Sequence, residues 1–231
     1  MFKKDFSKRI FLSLTGETED DWQAKIKEIN SLGIDTVALF LEFYRKPQRE
    51  KIYMALEKSS IKKIPLVHIK NDMDKEELKY LCAKYNNPCL TIHENSFDNF
   101  SKWAGYHHHL YLEMNYNNSI PRNVEVEKTG GFCIDLSHFK AAEEKWSKEF
   151  EYVIGKRKKK DLFRCNHLNG YSYAKNEDRH IISSLDEFDY LKTLPEFVFG
   201  DIIALEVFNS ISDQIMYKKY IVRLLEEISY F

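Results

Sequence analysis

Several short apolar runs in this sequence end in, or lead directly to, residue types that bind metal ions. The clearest is residues 130–138 (Gly-Gly-Phe-Cys-Ile-Asp-Leu-Ser-His), where Asp135 ends a strand-like run and His138 follows three residues later. Other runs reach the residues His68, His93, Glu113, His167 and Glu206. Imidazole nitrogens and carboxylate oxygens are ligands of zinc and of other divalent ions. The sequence therefore indicates a metal site assembled from several separate elements.

The residues just before these strand ends support a common inward direction. Alternate residues of a strand face the same side, and in four runs the residue two positions earlier is small. These pairs are Thr91 with His93, Cys133 with Asp135, Cys165 with His167, and Ala204 with Glu206. A single histidine at a strand end is more often a structural residue. Several convergent charges buried without a cation would each cost several kcal/mol or a large pKa shift, so a divalent ion is expected.

The segment after His167 adds a second pair, Asp178 and His180. Their spacing of two lets both side chains bind one ion from an extended segment. A solvated loop would explain the pair on its own. Beside His167, the pair indicates an additional metal lobe.

Strand-like and helix-like segments alternate along the whole chain, and they must position these residues. The spacing predicts strands over residues 10–14, 36–42, 64–68, 89–93, 110–115, 132–135, 162–167 and 202–207. It predicts helices over residues 18–32, 49–58, 74–84, 96–103, 141–152, 185–194 and 213–228. Eight such units in 231 residues predict an α/β protein, a (β/α)₈ TIM barrel in a single domain over residues 1–231. An open doubly wound sheet is the main rival. In such barrels the active site lies at the carboxyl ends of the strands.

Composition favours a cytoplasmic protein. The net charge of −1 does not point to nucleic acid or an anionic membrane as a partner. No apolar stretch approaches the roughly 18 residues of a membrane span, and the first apolar run is too short for a signal peptide. The cysteines lack CxxC spacing and are expected to be reduced thiols; they are Cys82, Cys89, Cys133 and Cys165. The sequence leaves the oligomeric state open.

Four short motifs resemble the endonuclease IV family, a branch of the xylose isomerase-like TIM barrels. They are GFCIDLSH at 131–138, NHLNG at 166–170, DRH at 178–180 and LEVFN at 205–209. The resemblance spans residues 68–209 and implies a zinc cluster of two or three ions. The nine implied ligands are His68, His93, Glu113, Asp135, His138, His167, Asp178, His180 and Glu206. The same ligand types also suit Mn²⁺ or another divalent ion.

The resemblance implies hydrolysis of a phosphate ester or phosphodiester, with Glu113 and Glu206 as the catalytic residues. Glu113 would bridge ions and hold the attacking hydroxide, and Glu206 would orient or deprotonate it. The expected partner is a phosphate-containing substrate. Abasic DNA is the family's substrate, yet the loops offer few groove-binding residues: Tyr44, Arg45, Lys46, Lys70, Tyr116 and Arg122. A smaller phosphate ester is therefore an open alternative.

Two other functions use the same residues. The sugar (phosphate) isomerases and epimerases of the same superfamily resemble only an inner subset, Glu113, Asp135, His167 and Glu206 around one ion, with His138 nearby. In that reading the two glutamates would move a proton. Such epimerases carry an arginine shortly after the seventh-strand histidine, where this chain has Tyr173. A non-catalytic metal-binding barrel is the third alternative. Glu42, at the end of the second strand, is expected to contact substrate or to lie on the rim.

Two conspicuous runs are expected at the opposite end of the barrel from the site. Residues 156–160 (Lys-Arg-Lys-Lys-Lys) precede the seventh strand and predict a solvated turn. Residues 107–109 (His-His-His) precede the fifth strand and are expected to be structural or exposed.

Overall fold

Eight parallel strands form a closed barrel in the computed structural model, which describes residues 5–114 and 118–228. The first strand, β1, consists of two segments, Ile10–Phe11 and Ser13–Leu14. The others are β2 (Ala38–Phe40), β3 (Leu66–His68), β4 (Cys89–His93), β5 (Leu110–Glu113), β6 (Gly131–Asp135), β7 (Phe163–Leu168) and β8 (Ile202–Leu205). The predicted (β/α)₈ barrel is confirmed, and the open sheet is wrong. Asn115 and Tyr116, which the sequence placed at and after the fifth strand, lie outside the described residues.

The barrel closes through β1. Its first segment pairs with β8, with Ile10 opposite Ile203, and its second pairs with β2, with Leu14 opposite Leu39. Between the segments, the carbonyl oxygen of Leu12 accepts a hydrogen bond of 2.8 Å from the Ala38 amide. The single predicted strand over residues 10–14 is thus divided between two neighbours.

Helices cover the outside of the barrel. They are α1 (Glu19–Ser31), α2 (Lys46–Glu57), α3 (Lys75–Lys84), α4 (Leu136–Lys145), α5 (Lys148–Gly155) and α6 (Ile211–Ile228). Two connections predicted as helices form 3₁₀ runs, Glu94–Trp103 and Leu185–Thr193. Shorter 3₁₀ turns lie at Phe6–Lys8, His107–His109, Val126–Lys128, Lys160–Leu162 and Glu196–Val198. Asp74 caps α3, as its sequence predicts, by accepting a hydrogen bond from the Glu77 amide.

One helix prediction, over residues 141–152, is wrong. The chain forms two helices there, because Trp146 adopts a left-handed conformation with φ 49° and Ser147 caps the second helix. The first of the two begins earlier than predicted, with Asp135 as its N-cap. Asp135 therefore ends β6 and starts α4, which places a metal-ligand type at a fixed corner.

Apolar residues form two layers, inside and outside the strands. The interior contains Ala38, Phe40, Leu66, Cys133, Cys165 and Ala204. Ile92, Ile134 and Leu205 instead pack among the helices. The alternation predicted from small residues before the strand ends is confirmed for Cys133, Cys165 and Ala204.

The segment after β7 is a hairpin rather than the predicted long loop. Its strands, Gly170–Ser172 and Glu177–Arg179, pair antiparallel with Asp178 opposite Tyr171. The turn contains Asn176 with φ 51°, and Tyr171 donates its hydroxyl to the Asn176 side chain at 2.6 Å. The hairpin gives Asp178 a defined position.

The four cysteines are free thiols, as the sequence predicted. Within the described ranges, the helices are too short or too polar to cross a lipid bilayer.

Candidate metal centre

The predicted ligands lie together at the carboxyl-terminal end of the barrel. The last residues of β3, β4, β5 and β6 are His68, His93, Glu113 and Asp135, His167 is the penultimate residue of β7, and Glu206 follows β8. Strand register sets neighbours side by side, with His93 opposite Glu113 and Asp135 opposite His167. Six consecutive strands therefore deliver ligand types to one end.

Four buried residues form what we call the inner group: Glu113, Asp135, His167 and Glu206. One ligand atom from each lies within 4.8 Å of one from every other. His167 Nδ1 is 3.1 Å from Glu113 Oε2 and 3.4 Å from Glu206 Oε2. The geometry matches the four-residue set that one divalent ion requires.

His68 joins the inner group through Glu113. Its Nε2 lies 2.9 Å from Glu113 Oε2, and His68, Glu113 and His167 also have ligand atoms within 4.8 Å of one another. Below them, the Phe40 ring packs against both imidazoles, with ring centroids 6.0 Å from His68 and 5.0 Å from His167. The floor of the site is thus apolar.

The sequence-predicted pair Asp178 and His180 lies at the rim with His138, and we call these three residues the outer group. Asp178 Oδ1 is 3.3 Å from His138 Nε2, and Asp178 Oδ2 is 2.9 Å from His180 Nε2. Hydrogen bonds to these two histidines lower the pKa of Asp178 far below its usual range. His138 Nδ1 lies 3.7 Å from Asp135 Oδ2, so the outer group connects to the inner group.

A third set comprises Glu42, His68 and His93, which we call the β2–β4 group. Its ligand atoms lie within 4.8 Å of one another. Glu42 Oε2 is 3.0 Å from His68 Nε2 and 3.7 Å from His93 Nε2. His93 Nδ1 is 3.8 Å from Glu113 Oε2.

Other polar groups orient the ligands from behind. His68 Nδ1 donates to the Ile69 carbonyl at 3.2 Å, and His180 Nδ1 donates to the Glu206 carbonyl at 3.0 Å. Each bond directs Nε2 toward the carboxylates, as in known metal centres. His167 Nε2 lies 3.1 Å from the Thr91 hydroxyl, which leaves Nδ1 facing the inner group.

Asn169 is a positioning residue that sequence reasoning missed. Its side-chain amide donates to Asp135 Oδ2 at 3.1 Å, and the residue is fully buried. The NHLNG motif contained it, but the contact joins the chain after β7 to the end of β6. Only the strand order reveals it.

Three buried atoms of the predicted ligands make no hydrogen bond to any part of the chain that the structure describes. They are His93 Nδ1, His167 Nδ1 and Glu206 Oε2. The contacts of His167 Nδ1 with the glutamates have ion-pair distances but lack hydrogen-bond alignment. An unsatisfied buried polar atom costs about 1–3 kcal/mol. A divalent cation would satisfy these atoms, and imidazole with carboxylate suits zinc first.

Electrostatics couples the histidines to the carboxylates. Burial lowers the pKa of His68, but Glu42 and Glu113 raise it more, to about 9. Burial also lowers the pKa of His167, but Glu113 and Glu206 raise it more, to about 10. The site therefore attracts positive charge strongly.

The two candidate catalytic glutamates have opposite pKa shifts. Burial raises the pKa of Glu113, yet His167 and His93 bring it well below its usual range. Burial raises the pKa of Glu206 well above its usual range; His167 offsets this only in part, and neighbouring carboxylates add to it. Two similar side chains thus differ in proton affinity because of their surroundings.

Among the described residues, the ion pairs of the site carboxylates involve histidines rather than lysine or arginine. Lys46, one of the residues suggested for DNA contact, pairs instead with Asp74 at 2.7 Å. Tyr44 is buried, and Arg45 and Arg122 are exposed.

The two conspicuous runs lie away from the site. Lys156 and Lys159 pair with Glu127 at 2.7 and 2.8 Å. His107 Nε2 donates to the Phe100 carbonyl at 2.8 Å. Both runs have local structural partners.

No protein-family model matches the sequence, and no curated protein matches it. Among solved structures, the chain is similar to one described as a D-tagatose 3-epimerase-like protein. The TM-score is 0.47 at 15% sequence identity, covering 96% of this chain and 98% of the other.

Proposed function

We propose that this barrel is a metal-dependent phosphoesterase that binds more than one divalent ion, zinc first, at the carboxyl-terminal end of its strands. The observation that carries the proposal is the outer group, His138, Asp178 and His180. An epimerase with one ion needs only the inner group. A hairpin that holds Asp178 between two histidines is unnecessary for that chemistry and suits a further ion.

Bound divalent ions would supply a water of lowered pKa, from 15.7 to about 7, and positive charge for the phosphoryl oxygens. The side chains of the site would hold the ions and orient the attacking water. Glu113 lies between His68 and His167, at 2.9 and 3.1 Å, where it can join neighbouring ions. Glu206 Oε2 is buried, makes no hydrogen bond to the described residues and would orient the attacking water or take its proton.

The substrate we propose is a phosphate ester or phosphodiester. The absence of lysine or arginine partners among the described site contacts supports recognition of the phosphate through cations. Hydrolysis of an abasic-site duplex and of a small diester is assayed separately, to distinguish a DNA substrate from a smaller ester.

Metal analysis of protein purified without chelator tests the proposal. We expect about three zinc ions per chain and hydrolysis of a simple diester such as bis(p-nitrophenyl) phosphate. The double variant Asp178→Ala/His180→Ala should lose one ion and most activity. Glu177→Ala/Arg179→Ala is the matched control, since these residues alternate with the first pair on the same hairpin. Unchanged metal content in the first variant would refute the assignment.

A sugar isomerase or epimerase is the second candidate. It is favoured because all four residues of the inner group are present and their ligand atoms lie within 4.8 Å of one another. It predicts about one ion per chain and incorporation of solvent deuterium into a ketose substrate. Finding one ion with deuterium exchange, and no diester hydrolysis, would select this candidate over the first.

A further inference from the structure

Glu42 follows β2 at the same barrel end as the predicted ligands. The backbone before it is fixed, because the Leu41 amide donates to the His68 carbonyl at 2.9 Å. The side chain is 15% exposed, and its Oε2 is 3.0 Å from His68 Nε2. Glu42 is therefore held beside β3 and points into the site.

His93 faces Glu42 as well as Glu113. Its Nε2 is 3.7 Å from Glu42 Oε2, and its Nδ1 is 3.8 Å from Glu113 Oε2. One ligand atom each of His93, Glu42 and His68 lies within 4.8 Å of the other two. Nδ1 of His93 is buried and makes no hydrogen bond to the residues that the structure describes. His93 thus has a carboxylate near each ring nitrogen, and one of them is that of Glu42, which follows β2.

We propose that Glu42 is a metal ligand, completing with His68 and His93 a two-histidine, one-carboxylate site for a divalent ion. This inference rests on the multi-ion site of the proposed function and adds a tenth ligand to it. A tetrahedral ion has one more position, which the Glu113 carboxylate could fill where it joins neighbouring ions. The ion would sit on the β2–β4 side, opposite the outer group.

Charge argues against a direct substrate contact by Glu42. Its described ion pairs are with His68 and His93. A carboxylate without a cation would repel a phosphate approaching this end of the barrel. Bound to an ion, the same carboxylate would instead help to create a phosphate-binding position.

The test compares Glu42→Gln with wild type and with Glu50→Gln, an exposed glutamate on α2. Each protein is titrated with Zn²⁺ by calorimetry and with Co²⁺, whose visible absorption reports the ligand number of each ion. We expect Glu42→Gln to bind one ion at least 10-fold more weakly and to change one component of the Co²⁺ spectrum. Glu50→Gln should match wild type. Unchanged affinity and spectrum in Glu42→Gln would overturn the proposal.

Two additional variants keep the result interpretable. Glu42→Asp retains the charge but withdraws the carboxylate, so it should also weaken that ion; wild-type binding would contradict a ligand role. Adding Glu42→Gln to Asp178→Ala/His180→Ala should remove two ions, since the groups are separate. If wild type binds one ion and Glu42→Gln abolishes it, the Glu42 assignment stands and the multi-ion function fails. If wild type binds several and Glu42→Gln leaves all intact, the reverse holds.

Discussion

Replacing Arg49 by methionine should destabilise the protein strongly, because Arg49 is a buried cation with specific partners. Its guanidinium binds Glu77 in a bidentate manner, with Nε to Oε1 at 2.9 Å and Nη2 to Oε2 at 2.8 Å. Nη1 donates to the Tyr44 carbonyl at 2.7 Å and to Asp72 at 2.9 Å. Arg49 therefore ties α3 to the segments that follow β2 and β3.

The expected cost is about 3–5 kcal/mol, the usual result of removing one partner of a buried ion pair. Most of it comes from Glu77, whose side chain is 9% exposed and would keep only the Tyr53 hydroxyl at 3.1 Å. Asp72 is 47% exposed, so solvent replaces that contact at little cost. For a chain of this length, the loss corresponds to a fall in Tm of about 10 °C.

Urea unfolding followed by tryptophan fluorescence measures the change. The double variant Arg49→Met/Glu77→Leu should be more stable than Arg49→Met alone, because it leaves no unpaired buried carboxylate. The Zn²⁺ affinity of the β2–β4 group should also fall, since the contacts of Arg49 with Tyr44 and Asp72 position the segments that follow β2 and β3. A loss below about 1 kcal/mol, or a double variant that is less stable than the single one, would refute the reasoning.

Two further predictions concern stability away from the ligands. Burial lowers the pKa of Lys25 to about 7. Above pH 7 the folded chain releases the Lys25 proton while the unfolded chain still holds it, so the free energy of unfolding increases as the pH rises. Lys25→Met should therefore stabilise most below pH 7 and progressively less toward pH 10, and parallel stability curves would contradict this. Gly131 has φ 130° and an added Cβ would meet the Leu162 carbonyl oxygen at 2.3 Å, whereas Gly33 has φ 64° and open space. Thermal unfolding should show Gly33→Ala losing about 1–2 kcal/mol and Gly131→Ala clearly more; equal losses would refute the clash.

Strand ends were predictable because their signal is local. An apolar run fixes the strand, period two fixes the face, and the last inward residue then lies at the carboxyl end. Asp135 and His167 follow this rule, and β6 and β7 place them opposite each other. The count of alternating units favoured a closed barrel over an open sheet, and the pairing of β1 with both β8 and β2 decides between them.

Conformations that depend on one residue or on distant pairing were not predictable. Trp146 interrupts a helical pattern by adopting a left-handed conformation, which non-glycine residues seldom do. The hairpin around Asn176 has weak strand character, so polarity alone indicated a loop. In both places the tertiary structure decides between local alternatives.

Glu42 shows the same limit at the site. The sequence left Glu42 as either a substrate contact or a rim residue, the second because of its neighbours Phe43 and Tyr44. Its relation to His68 follows from the β2–β3 register, in which Phe40 lies opposite His68 and Glu42 extends past it. A contact between strands cannot be read from one strand.

Exposure across the centre favours a catalytic role over a structural one. The inner group is 0–6% exposed, above the apolar floor of Phe40, where weak solvent screening strengthens every charge interaction. His93 and the outer group are 28–35% exposed and ring the opening. A centre that is buried at its base and open at its rim would suit the proposed function, because ions could be held at the base while a substrate reached them from solvent.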